Sequence, residues 1–293
     1  MSFSDLGRLT LLSAIWGASF LFLRVAAPEF GPFALILIRT AGGALILLPF
    51  LLRPANRPIL ATHAGSLLLQ GIYNSALPFC LIGWAALSLE AGFTSLLNAS
   101  TPIFTAIIGF CWLRIPLQRS QVIGLVIGFA GIAILAGDQL TFKKGGTGWA
   151  VLAVLVASCS YGMAGHYAKL RFAGIPPMAV SAGSLFYSSF LLLPLGFCFW
   201  PSTLPSAPAI ASAIALALIC TALAFVLFFD VLSRTGATAA ATVTFVIPVF
   251  GVLWGVLFLQ EEITIRMMLG MAVALCGTAL VTKLLPPTRR RKA

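Results

Sequence analysis

Apolar runs of about 20 residues, each long enough to cross roughly 30 Å of hydrocarbon as a helix, follow one another along almost the whole chain. In lipid every backbone N–H and C=O must find its partner inside the segment, and an α-helix does this without help from a neighbour. The composition agrees, with 60% hydrophobic and only 9% charged residues in 293 and a mean hydropathy of +1.06. A soluble chain runs near 45–50% apolar and about 25% charged. A water-soluble domain and a disordered chain are both excluded, and the class implied is an all-α polytopic membrane protein.

Charged, Pro-rich or Gly-rich breaks divide the apolar runs into ten expected transmembrane helices. They cover 4–25, 32–52, 64–87, 92–113, 120–137, 147–169, 177–199, 207–232, 237–259 and 265–285. An even count puts both termini on one side. That side holds 13 of the 18 Lys and Arg residues, the other side holds 4, and Arg39 falls within a span. Lys and Arg in short loops stay cytoplasmic, so both termini are expected there. The net charge of +11, which in a soluble chain suggests nucleic acid, is thereby read as topology and no nucleic-acid partner is expected. The first run lacks a small-residue cleavage site and reads as a retained helix. The six cysteines lie within apolar runs without a CxxC pair, so neither a disulfide framework nor a metal or cofactor is expected.

The chain is also written twice. A shift of 146 brings Pro102 onto Pro248, Gly124 onto Gly270 and Gly131 onto Gly277. Earlier, a shift of 145 brings Ser13 onto Ser158, Trp16 onto Tyr161, Gly17 onto Gly162, Pro32 onto Pro177 and Pro49 onto Pro194. The expected units are a first five-helix repeat over 1–138, a second over 147–285 and a basic cytoplasmic tail over 286–293. Five is odd, so the second repeat enters the membrane from the opposite face. Loop charge follows: Arg114 and Arg119 fall on the cytoplasmic side, and their mates Gln260 and Ile265 flank an external loop carrying Glu261 and Glu262. Two inverted halves around a shared cavity are suited to alternating access.

These residues resemble the drug/metabolite transporter superfamily and its EamA-type ten-helix members. Trp16-Gly17-Ala18-Ser19-Phe20 followed by Arg24 is similar to that family's first-helix motif, and Ile38-Arg39-Thr40-Ala41 to its second-helix Arg motif. Ala91 to Gly131 and Ala237 to Gly277 resemble its paired repeat endings. The nearest likeness within the superfamily is to YddG-like exporters of aromatic and other amino acids. One departure is Ile115-Pro116, where the family often carries Glu after the fourth helix; the second repeat keeps Glu262.

Polar groups at membrane depth are functional candidates. Gln70, Tyr73, Asn74 and Leu77 share a face of an ideal helix near Pro78, and Thr94, Asn98, Thr101 and Thr105 share another around Pro102. The expected cavity residues are Trp16, Tyr73, Asn74, Asn98, Tyr161, His166, Phe225 and Thr244. Pro78, Pro102 and Pro248 are expected as gating hinges, because a mid-helix proline frees a backbone carbonyl. The same carbonyl can instead mark a packing kink. Arg39 can attract a substrate carboxylate or fix helices, and His166, a histidine at membrane depth, can couple transport to protons or simply pack.

No HExxH, GxSxG or GxxxxGK[ST] occurs, and an enzyme is not expected. The expected function is export of small metabolites, amino acids foremost and aromatic or apolar ones among them, across the cytoplasmic (inner) membrane by alternating access. Efflux of drugs or cationic compounds by the same fold is the alternative. The substrate range, the coupling ion and the oligomeric state stay open.

Overall fold

The computed structural model describes residues 3–143 and 145–282. Lys144 and the basic tail 286–293 lie outside the described residues, which form helices and short connections without a strand. The helices are α1 (Phe3–Leu51), α2 (Arg57–Thr62), α3 (Ala64–Gly71), α4 (Leu77–Ala85), α5 (Ala91–Asn98), α6 (Thr101–Leu113), α7 (Arg119–Ala136), α8 (Gly148–Arg171), α9 (Pro177–Cys198), α10 (Ala207–Ala217), α11 (Ala224–Ala241), α12 (Val243–Leu259) and α13 (Ile265–Val281). Two π-helical segments, Ile72–Ala76 and Leu218–Leu223, join α3 to α4 and α10 to α11. Eight helical stretches are long and apolar enough to span a membrane, and α13 is a shorter apolar helix of 17 residues.

The 49-residue α1 is broken at Gly31, whose φ of 70° and ψ of 156° fall in a region essentially closed to residues with a Cβ. Ile15, before the break, accepts a hydrogen bond from Cys220 Sγ at 3.2 Å, and Arg39, after it, donates to Thr221 Oγ1 at 3.1 Å. A straight helix would hold those two residues about 36 Å apart. The chain therefore doubles back at Gly31, so α1 covers both of the first two expected spans.

Element boundaries recur 146 residues apart. The π segments begin at Ile72 and Leu218, helices start at Arg119 and Ile265, and left-handed caps fall at Arg114 (φ 54°) and Gln260 (φ 57°). Contacts recur as well. A Cβ added at Gly17 would lie 2.7 Å from Phe250 Cβ and 2.9 Å from Gly251 N, so the first arm of α1 touches the α12 backbone directly. Its mate Gly162 stands in the same relation to α6, where a Cβ would lie 3.0 Å from Thr105 N. α7 and α13 pack through Gly124, Gly128, Gly131 and Gly277, with Gly124 so close that a Cβ would lie 2.7 Å from Gly277 O. Large apolar side chains such as Val126, Phe197, Leu257 and Ile265 point outward, as lipid requires. The protein is a multi-pass cell-membrane protein.

Any side chain at Gly277 must drive α7 and α13 apart, because its Cβ would overlap Gly128 N and Cα. Gly277→Ala is expected to destabilise the protein by about 1–3 kcal/mol, the usual cost of overpacking. Gly7→Ala is the control, since nothing lies within 4 Å of a Cβ there. Thermal unfolding of the two variants in detergent separates them.

Candidate functional site

A cavity of about 560 Å³ opens in the middle of the bundle between α1, the α3–α4 region, α5, α6, α8, α9 and the α10–α12 region. Of the residues expected from the sequence, it brings together Trp16, Asn74, Asn98, Tyr161, Phe225 and Thr244, with Arg39, Pro102 and Pro248 also on its wall. Tyr73, His166 and Pro78 stand outside the lining. The wall is mostly apolar and aromatic. Trp16 packs on Phe228 with ring centroids 5.3 Å apart, and Phe79 meets Tyr161 edge-on at 6.5 Å. Ser158 Oγ reaches Asn98 Oδ1 at a long 3.4 Å.

Local backbone geometry accounts for the three residues left outside. Tyr73 and Asn74, three and four residues past Gln70, are neighbours in sequence and so lie about 100° apart around a helix. Asn74 reaches the cavity while the Tyr73 ring lies edge-on to Tyr167, 6.1 Å between centroids. In the π register Leu77 N–H bonds to Ile72 O, and the next donor would be Pro78, which has no N–H. The Tyr73 carbonyl so freed accepts a hydrogen bond from Ser160 Oγ at 2.8 Å. Pro78 is thus part of a satisfied packing kink. His166 is buried with Nε2 2.8 Å from the Thr105 carbonyl, and Gly109 leaves room for its ring.

The two remaining prolines are placed differently from each other. Pro102 occupies the first turn of α6, after a break at Ala99–Ser100, where a missing N–H costs nothing. Pro248 lies inside α12. The sequence reading passed over Phe79, although the shift of 146 that relates Pro102 to Pro248 also relates Phe79 to Phe225. Ser19, part of the first-helix motif, and Thr221, a hydroxyl in an apolar run, also line the cavity.

Arg39 is the one basic residue of the cavity wall, which carries no Asp or Glu among the described residues. It is 5% exposed, and its guanidinium carbon sits 3.8 Å from the centroid of the Phe79 ring. No described carboxylate pairs with it.

A second, smaller cavity of about 300 Å³ lies at one end of the bundle, lined in part by Glu90, Gln139, Glu262 and Arg266. Beside it Glu261 accepts hydrogen bonds from Ala91 N at 2.6 Å and Gly92 N at 2.9 Å, capping α5 from the other end of the sequence. α5 has no side-chain cap of its own. Arg24 Nη1 donates to Ala86 O at 2.7 Å nearby. The Glu90 carboxyl is held above the usual carboxylate range, first by burial and then by the Glu261 charge, with Arg24 pulling the other way. No group of three or more His, Cys, Asp or Glu residues suited to a metal occurs among the described residues.

The EamA-like transporter family model matches residues 8–137 and 148–283. The chain belongs to this family. It is 28% identical to the uncharacterized transporter YoaV of Bacillus subtilis over 91% of this chain and 92% of that protein. It is 24% identical to the uncharacterized inner membrane transporter YedA of Escherichia coli over 94% and 90%. It is also 24% identical to a probable terminal-alkyne amino-acid exporter of Streptantibioticus cattleyicolor over 94% and 92%. A solved crystal structure with 19% identity superposes at a TM-score of 0.63, covering 97% of this chain and 99% of that one, which shows a shared fold. The family and these relatives are transporters, and the resemblance to the drug/metabolite transporter superfamily stands.

Glu261→Ala removes two charge-assisted bonds to a helix N-terminus and is expected to cost about 1–2 kcal/mol, read as a lower unfolding temperature than Glu262→Ala gives. Glu90 predicts the opposite sign. A carboxyl whose pKa is raised on folding binds its proton more tightly in the folded state, so its charge opposes folding above that pKa and ceases to do so as pH falls through it. Glu90→Gln is expected to unfold at a higher temperature than the parent at neutral pH, and the gap is expected to close as the pH is lowered into the carboxylate range.

Proposed function

We propose that this EamA-family protein is a secondary transporter that exports small metabolites, amino acids with apolar or aromatic side chains foremost, by alternating access. One observation carries the reading. The central cavity is walled by residues that match across the two halves of the sequence: Trp16 with Tyr161, Asn98 with Thr244, Phe79 with Phe225 and Pro102 with Pro248. A cavity built from matched parts of two halves can exchange which end is open when the halves exchange conformations. The amino-acid class draws on the apolar, aromatic wall and on the relative printed as a probable amino-acid exporter.

In this reading α1 counts as two spans and α13 as the last, giving ten in two inverted five-helix repeats, 1–138 and 147–285. The end holding Glu90 and Glu261 is external, and the end holding Asp5, Arg8 and Asp230 is cytoplasmic together with both termini and the tail 286–293. Loop charge supports this orientation. The cavity residues Trp16, Asn74, Asn98, Tyr161, Phe225 and Thr244 contact substrate. Pro248, inside a continuous helix, acts as the hinge with the α5–α6 break before Pro102 as its partner. Tyr73, Pro78 and His166 hold the wall in place from behind. Cationic-compound efflux is disfavoured, because the described lining holds a cation and no carboxylate.

In proteoliposome counterflow with labelled phenylalanine or leucine, Asn98→Leu and Thr244→Leu are expected to lower flux about tenfold or more, the loss of one good polar contact, with membrane insertion unchanged. Parental flux in both variants would refute the cavity assignment. An epitope at Gly145 is expected to be reached from outside intact cells and one at Gly174 only after permeabilisation.

A further inference from the structure

We infer that Arg39 forms a carboxylate-binding subsite in the central cavity, so that the transported molecule presents a free carboxylate attached to an apolar body. The inference rests on the transport reading above and adds the chemical group that the cavity selects.

Arg39 stands eight residues past Gly31, about 12 Å along the second arm of α1 and thus near the middle of a 30 Å hydrocarbon slab. Its one hydrogen bond within the described structure runs from Nε to Thr221 Oγ1, and one face of the guanidinium is covered by the Phe79 ring. The two Nη groups have no partner there, and neither is a sealed, unsatisfied atom of the core. They open onto the cavity whose wall Arg39 forms. A cation at this depth without a counter-charge is costly, and an Arg fork matches the two oxygens of a carboxylate.

A further observation separates this from a purely structural arginine. The residue that matches Arg39, at the shift of 145 that relates Pro32 to Pro177, is Ser184. Ser184 is buried and bonds to Ser181 O on its own helix, so the matching position is filled without a cation. With the carboxylate so held, the apolar body of the substrate lies against Trp16, Tyr161 and Phe225. A compound that is only cationic meets the Arg39 charge with nothing to offset it.

The test compares thermal protection of the purified protein by L-phenylalanine and 3-phenylpropionate, which carry the carboxylate, with that by L-phenylalaninamide, which lacks it. The acids are expected to protect the parent protein and the amide to do so about ten- to a hundredfold more weakly in apparent Kd. Arg39→Gln is expected to abolish that preference and Arg39→Lys to retain part of it. Equal protection by acid and amide, protection by neither, or an unchanged preference in Arg39→Gln overturns the subsite. If Arg39→Gln does not fold, the acid-to-amide comparison in the parent and in Arg39→Lys decides in its place. Counterflow with the same probes keeps the two readings apart, because binding with acid preference but no flux defeats the transport reading and leaves the subsite standing.

Discussion

Everything in this molecule depends on helix backbones touching where glycine leaves no side chain between them. In lipid there is no hydrophobic drive to push helices together, so close packing must supply the attraction. Gly17 lets the first arm of α1 reach the α12 backbone, and its mate Gly162 lets α8 reach the α6 backbone. In each case the first helix of one half lies on the fourth helix of the other. These two seams join the halves and fix the spacing of the walls between them. Trp16 and Tyr161, one residue before each glycine, are consequently aimed into the gap and form part of the cavity. The motif Trp16-Gly17 is thus one device with two ends, a contact and a wall.

The π segments are the second element of the design. Each adds a residue to a turn in the helix that borders the cavity, and each leaves hydrogen-bonding groups to be satisfied from elsewhere. In Ile72–Ala76 the freed Tyr73 carbonyl is taken by Ser160 of the other half. In Leu218–Leu223, Thr221 turns its hydroxyl back to Leu216 O at 2.8 Å and accepts from Arg39 Nε. The widened turns therefore carry the contacts that cross between helices at mid-membrane depth, and Asn74 and Cys220, mates at a shift of 146, face the same cavity.

Much of this was legible in the sequence because it is carried by residues of extreme shape. Gly17, Gly162, Gly124 and Gly277 are visible at a fixed shift, and the structure puts each at a backbone contact. The apolar runs marked out a polytopic helical membrane protein, and Arg39 stood out as the basic residue within a run. What was illegible is the phase of a helix once its register changes. Tyr73 and Asn74 lie about 100° apart around a helix, so one can reach the cavity while the other packs, and nothing in Ile72–Ala76 announces which. Pro102 and Pro248 align in sequence yet stand in different local settings, because the α5 to α6 break falls just before the first. His166 has the chemistry of a proton relay, but its nitrogen is already engaged by the Thr105 carbonyl. Periodicity reports which residues are apolar; it does not report which polar groups are already satisfied.

The two ends of the bundle are where the repeat symmetry is broken, and the breaks share a logic. At the Glu261 end, two carboxylates cross between the halves and hold helix N-termini. Glu261 bonds to Ala91 N and Gly92 N, and Glu29 accepts from Ser206 N at 2.5 Å and Ser206 Oγ at 2.6 Å at the start of α10. Their repeat mates are Ile115 and Gly174, neither of which has a side-chain acceptor. Ile115 occupies the same place against Gly109 that Glu261 occupies against Gly255, so the packing has been kept and the polar clasp has not. At the opposite end Arg8 pairs with Asp230 across the sequence at 3.5 Å, and both side chains are about a third open to water. Such a pair contributes about 0–1 kcal/mol, whereas a carboxylate on a helix N-terminus gains from both hydrogen bonds and the helix dipole. The carboxylate clasps therefore tie the Glu261 end more firmly than the water-exposed ion pair ties the opposite one.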